Sequence, residues 1–225
     1  MKDAIEREEL GMKERFLADF AAERLKVLII LLVPQLIGSG MTQRRVLEVF
    51  PQLLMPGLIV SGATLLAYGF ILRRMSLFSA RYRLAGNCIL VCAAITFLQM
   101  IPFEGYGGLL LISVTSLSAV FGYMAEFQEY NAHADLLAIY NQMELSQKWR
   151  KLWKRKLISL GIILVSIPLV IGLRGVGVIT FAIGFIALFV VTILAIVYFF
   201  RTAFFFSKYN DDSSVLNENE DQGNE

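Results

Sequence analysis

Ionisable side chains are missing from six stretches of this chain: 27–41, 52–72, 84–103, 105–125, 157–173 and 175–200 contain no Asp, Glu, Lys, Arg or His. Placing an Asp, Lys or Arg at the centre of a membrane helix costs about 2.5–3.5 kcal/mol, and such groups mark function where they occur. Without them the stretches lack the parts of a proton relay, of an ion-coupled carrier with a buried carboxylate, or of an intramembrane aspartyl or metalloprotease. A serine protease would lack its base. The chain is therefore expected not to be an enzyme.

Histidine occurs once, as His133, and cysteine twice, as Cys88 and Cys92. One imidazole is too few for a histidine-rich metal centre. The cysteines stand four apart on one helix, a spacing that does not suit a disulfide, whose Cβ atoms must lie within about 4.5 Å. They are expected at a helix contact, as small polarizable residues. Nucleotide-binding signatures, metal-spaced cysteines and nucleic-acid modules are absent, so no cofactor, no metal and no nucleic-acid partner are expected. Gly105-Tyr106-Gly107 is too short and too poorly flanked to be a potassium filter, which needs a pore helix and further carbonyl-bearing residues. An extracellular glycine turn is expected there.

What remains is strongly apolar: 56% hydrophobic residues and a mean hydropathy of +0.62. About 20 apolar residues cross the roughly 30 Å of bilayer hydrocarbon. The expected fold class is an all-α integral membrane protein, a six-transmembrane-helix bundle built as three tandem helical hairpins. The stretch 27–41 is short, and it can lengthen toward 16–22 if Arg24 and Lys26 extend to the headgroups. Should it not cross, five spans remain and the termini separate.

Charge between the stretches orients them. Threaded up and down, only Arg44, Arg45 and Arg174 of the 21 Lys and Arg fall on the side opposite the termini. The positive-inside bias then places both termini in the cytoplasm, and the cell membrane is the expected location. The polar residues 1–26 do not suit a cleaved leader, so the first hydrophobic helix is expected to insert the chain. The domain reading is a cytoplasmic amphipathic helix over 1–26, a bundle over 27–209 with a cytoplasmic loop at 126–156, and a disordered acidic tail over 210–225.

Val33-Pro34, Ile101-Pro102 and Ile167-Pro168 recur near the outer ends of the odd spans, each followed by glycine, which is the basis for the three hairpins. Small residues at helix-contact spacing mark expected internal seams: Gly57, Ser61, Gly62 and Gly69 in the second span, and Thr115, Ser118 and Gly122 in the fourth. In the loop, Lys148, Trp149, Lys151, Trp153 and Arg155 are expected at the membrane interface, rings at the headgroups beside basic residues that face anionic lipid. Glu126, Glu129 and His133 fall along one helical flank, and Asp135 is nearby. The expectation is a solvated surface with Glu129 and His133 paired at spacing four. Oxygens with one imidazole could also hold a divalent ion.

The leading functional expectation is a non-enzymatic membrane component, embedded in the lipid bilayer, that assembles with itself or with a membrane-protein partner. The alternative is a carrier or channel for a neutral or weakly polar solute, using Asn87, Gln99, Ser113, Thr115, Ser116 and Ser118.

Overall fold

The computed structural model describes the backbone of residues 2–101 and 107–222, and the side chains within 15–101 and 112–209 together with that of Met12. Helices α1 (Lys2–Met41), α2 (Arg44–Val49), α3 (Leu54–Arg74), α4 (Ala80–Leu98), α5 (Gly107–Ile139), α6 (Met143–Gly172) and α7 (Arg174–Gln222) account for nearly all of it. Among the described residues there is no strand. Residues 105 and 106 of the expected glycine turn and the side chains of the acidic tail lie outside the described residues, and Gly107 opens α5. The helical backbone of α7 itself continues to Gln222.

Four segments are long and apolar enough to cross a membrane: Pro51–Leu77, Ala80–Leu98, Met143–Gly172 and Arg174–Tyr209. They contain the second and sixth of the expected spans, all but the last residue of the fifth, and the third as far as Leu98, short of its expected end at 103. The first expected span lies in α1, and the fourth lies in α5 from Gly107 onward.

The six long helices form a ring in which each has two principal neighbours: α1 beside α3 and α7, α4 beside α3 and α5, and α6 beside α5 and α7. Local chemistry sets the corners. Ser79 caps α4, its Oγ accepting from the Arg81 N–H at 3.3 Å. Asn141 takes a left-handed φ of 58° between α5 and α6. That conformation suits Asn after a helix end, and the Gln142 N–H closes back on the Leu137 carbonyl at 2.9 Å. Leu173 alone separates α6 from α7.

Glycines bring some helices into contact. A Cβ on Gly38 would meet the Ser61 side chain at 2.5 Å, and one on Gly69 would meet Leu90 at 2.9 Å and the Gly86 carbonyl at 3.1 Å. The small residues of α3 thus serve two seams, toward α1 and toward α4. Cys92 sits in the α4–α5 contact, its thiol donating to the Ser118 carbonyl at 3.5 Å. The expectation for the fourth span needs correction over part of its length. Thr115 is exposed, and a Cβ on Gly122 would meet nothing within 4 Å.

Candidate functional site

The α5 helix has 33 residues and is about 50 Å long, more than the hydrocarbon needs. Its apolar stretch ends at Ala125, and the helix then runs on through Glu129 and His133 toward the α5–α6 turn. This end of the ring, which also holds the α3–α4 turn, is called the base here. The apolar core gathers there, drawing Leu25 and Leu28 from α1, Leu72 from α3, Tyr82 from α4, Leu137 from α5, Trp149 from α6 and Phe206 from α7.

His133 lies inside that core, fully buried, and so does Trp149 at 1% exposure. The solvated surface expected around His133 is therefore corrected. Residues Tyr82, Trp149 and Phe199 of three other helices surround the imidazole, at ring separations of 5.5, 4.9 and 5.0 Å. No periodicity in α5 alone could show this, because the residues that cover His133 come from remote parts of the chain.

A polar chain threads the aromatic shell. The Tyr82 hydroxyl lies 2.7 Å from His133 Nδ1. On the other side of the ring, Nε2 is 3.5 Å from Glu129 Oε1, beyond good hydrogen-bond length. The buried Nε2 has no hydrogen-bond partner by stricter geometry, so the two groups are neighbours in an unclosed contact. Tyr68 of α3 donates its hydroxyl to the same Glu129 oxygen at 2.5 Å. The pairing expected at spacing four is present, within a line of four side chains that joins α3, α4 and α5.

The other charges of the base are engaged elsewhere. Asp135 accepts from Ser79 Oγ at 3.1 Å and lies 3.2 Å from both Arg81 and Arg150, tying α4, α5 and α6 together. Glu126 pairs with the buried Lys156 of α6. Consequently Glu126, Glu129, His133 and Asp135 do not converge. Among the described residues no group of three His, Cys, Asp or Glu is placed to hold a metal ion. Tyr130 packs on Trp149 at 5.2 Å, and burial pushes its phenol well above the ordinary range.

The five residues expected at the interface separate. Lys151 and Arg155 are exposed, and Lys148 pairs with Glu144 on the surface. Trp153 is partly buried over Phe127 at 5.2 Å. Trp149 turns fully inward and donates its indole N–H to Thr202 Oγ1 at 3.1 Å.

The surface between α5 and α6 is grooved, beginning at the base. An open apolar groove of about 810 Å³ lies between them, with Tyr123, Phe127, Trp153, Leu157, Gly161 and Leu164 on its walls. A Cβ on Gly161 would meet nothing within 4 Å.

These features define the protein as an α-helical membrane protein whose polar site lies where its helices run past their apolar stretches. The chain matches no family model, no curated protein and no solved structure.

Proposed function

We propose that this protein is a non-enzymatic component of a membrane assembly, a six-crossing bundle that acts by docking its α5–α6 face against a second membrane-protein subunit. The observation that carries this reading is a set of small residues on that face: Thr115 is exposed, and a Cβ on Gly122 of α5 or on Gly161 of α6, beside the open groove, would meet nothing within 4 Å. Small residues let helix backbones approach, and within lipid such packing drives association. By contrast Gly38, Gly57, Gly62, Gly69, Gly86, Gly177 and Gly184 are packed against a neighbouring helix.

The six crossings follow from adding α1 and α5 to the four helices of sufficient length and apolarity. The hairpin pairs α1–α3, α4–α5 and α6–α7 each pack together, which supports the three-repeat reading. Both termini and the 126–156 segment belong to the cytoplasmic side by the distribution of Lys and Arg, and we assign the bundle to the cell membrane. Exposed Lys151 and Arg155 face anionic headgroups on that side.

The solute-carrier reading is weaker. Asn87, Thr115 and Ser116 lie on exposed surface, and no common interior path joins them. Thr64, Thr96, Ser159 and Ser166 donate to carbonyls of their own helices. At the base, the axis of the ring is filled by Tyr82, His133, Trp149 and Phe199.

The test is native mass spectrometry after gentle extraction of the full-length protein, repeated with Gly161→Trp. The expected result is a stoichiometric protein partner, or a second copy of the chain, that is lost when tryptophan fills the groove while thermal stability is retained. A monomer in every extraction, or a complex indifferent to Gly161→Trp, overturns the reading.

A further inference from the structure

The Glu129–His133 contact has the parts of a ligand site for the smallest ligand. We propose that this pair is a buried proton-binding site, and that the Tyr82 hydroxyl registers its occupancy through the direction of one hydrogen bond.

The argument rests on counting donors and acceptors. Glu129 Oε1 accepts from the Tyr68 hydroxyl, and the chain's sole imidazole stands at 3.5 Å from the same oxygen. Arg81 and Arg150 are engaged by Asp135, and Lys156 by Glu126. The imidazolium form of His133 is thus the cation positioned to neutralise the Glu129 carboxylate in its low-dielectric surroundings.

In the neutral ring with its proton on Nε2, Nδ1 accepts from Tyr82, and the Nε2–H is left without a close partner. A proton arriving at Nδ1 reverses that bond. Nδ1–H then donates to the Tyr82 oxygen, and the Tyr82 hydroxyl loses the single hydrogen bond it makes, inside a fully buried side chain. An unsatisfied buried donor is unfavourable, so Tyr82 must turn or shift. The same event creates an imidazolium–carboxylate pair and draws Nε2–H toward Glu129. Proton uptake on α5 is in this way coupled to the start of α4.

The surroundings leave the imidazole as the responsive group. Facing it are Tyr68 from α3, Tyr82 from α4, and Glu129 and Tyr130 from α5. The α6 and α7 helices present Trp149 and Phe199, neither of which titrates. Alanine and leucine side chains of α1 complete the cluster.

One histidine makes the test direct. Full-length protein carrying isotope-labelled histidine in lipid nanodiscs gives ring-nitrogen resonances from His133 alone. In alkaline buffer the ring should be neutral with the proton on Nε2. On acidification it should take up one proton at Nδ1 while the protein stays folded, with Trp149 emission changing at the same midpoint. Glu129→Gln should lower the proton affinity at least about tenfold, since the attracting carboxylate is gone. Tyr68→Phe should raise it, because the carboxylate loses a donor that stabilises its charge. A ring that stays neutral at every pH where the protein is folded overturns the proposal. So does a midpoint that Tyr68→Phe leaves unmoved, a result available even if Glu129→Gln fails to fold.

Discussion

At its base the ring closes around Trp149 and His133, with side chains from all six long helices in one cluster and polar atoms joined across three of them. In the outer half of the α6–α7 hairpin the same chain makes a different kind of structure. There Phe181, Ile183, Phe185, Ile186 and Phe189 of α7 are all exposed, as are Leu164, Val165, Ile167 and Ile171 of α6. Gly177 and Gly184 are the buried residues of that part of α7, both pressed against α6. The two regions are equally helical, so propensity does not separate them. The environment each is built for does. Lipid solvates apolar side chains as well as a protein core does, and a hairpin within lipid needs only its own seam. Beyond the apolar stretches water returns, and burial again drives packing.

That contrast predicts a large asymmetry under truncation. Trp149→Ala removes a fully buried ring and the donor to Thr202, and should destabilise the folded protein by about 3–5 kcal/mol. Phe185→Ala, at 58% exposure, should change stability by less than about 1 kcal/mol. Thermal unfolding in one detergent compares the two. Equal losses would mean that the outer hairpin is packed in the isolated protein as firmly as the base.

Glycine replacements sharpen the comparison within single helices. A methyl group at Gly69 meets Leu90 at 2.9 Å and the Gly86 carbonyl at 3.1 Å, where α3 and α4 touch. Gly69→Ala should therefore cost about 1–3 kcal/mol through overpacking. Gly161→Ala enters open space inside α6 and should stabilise the helix by up to about 1 kcal/mol. The sign of the difference, read from midpoint temperatures, decides whether the groove beside Gly161 is open in solution.

Alkaline titration probes the base alone. Burial holds the Tyr130 phenol above its ordinary range, so the folded state favours the protonated form. Its contribution is fully present below the unfolded value of about 10 and is lost as pH rises toward the folded one. The protein should lose stability above about pH 10, and Tyr130→Phe should reduce that slope. An unchanged slope would place the alkaline sensitivity in another tyrosine.

Much of this was legible in residues and spacing. The charge-free stretches announce helical membrane crossings, and Gly57, Ser61 and Gly69 announce the seams of α3. The base was harder to read. Trp149 reads in sequence as an interfacial ring, because aromatic residues beside Lys and Arg suit headgroups as well as a core. In the structure it joins Phe199 and Phe206 in a core drawn from all six long helices. His133 was misjudged for the same reason. Its burial is decided by Tyr82 and Phe199, and nothing local to α5 encodes them. Thr115 and Gly122 show the reverse error, since small residues mark a seam without saying whether this chain or another one fills it.

The smallest expected effect lies on the surface of the base. Glu144 and Lys148 stand four apart on α6, with the acid first, and the ammonium beside the Glu144 carboxyl holds it below the usual carboxylate value. A depressed folded value means that the stabilisation is present above the unfolded one, near 4.3, and is lost as pH falls through the folded value. Water reaches both groups, however, and the carboxylate is fully solvated, so screening consumes most of the attraction. Glu144→Gln should leave the midpoint temperature at neutral pH unchanged within error, and added salt should not distinguish the variant from the parent. If Glu144→Gln instead flattened the acid limb of stability, the electrostatics of the base would reside on its surface, and the distinction between a polar interior and a solvated rim of charge would fall.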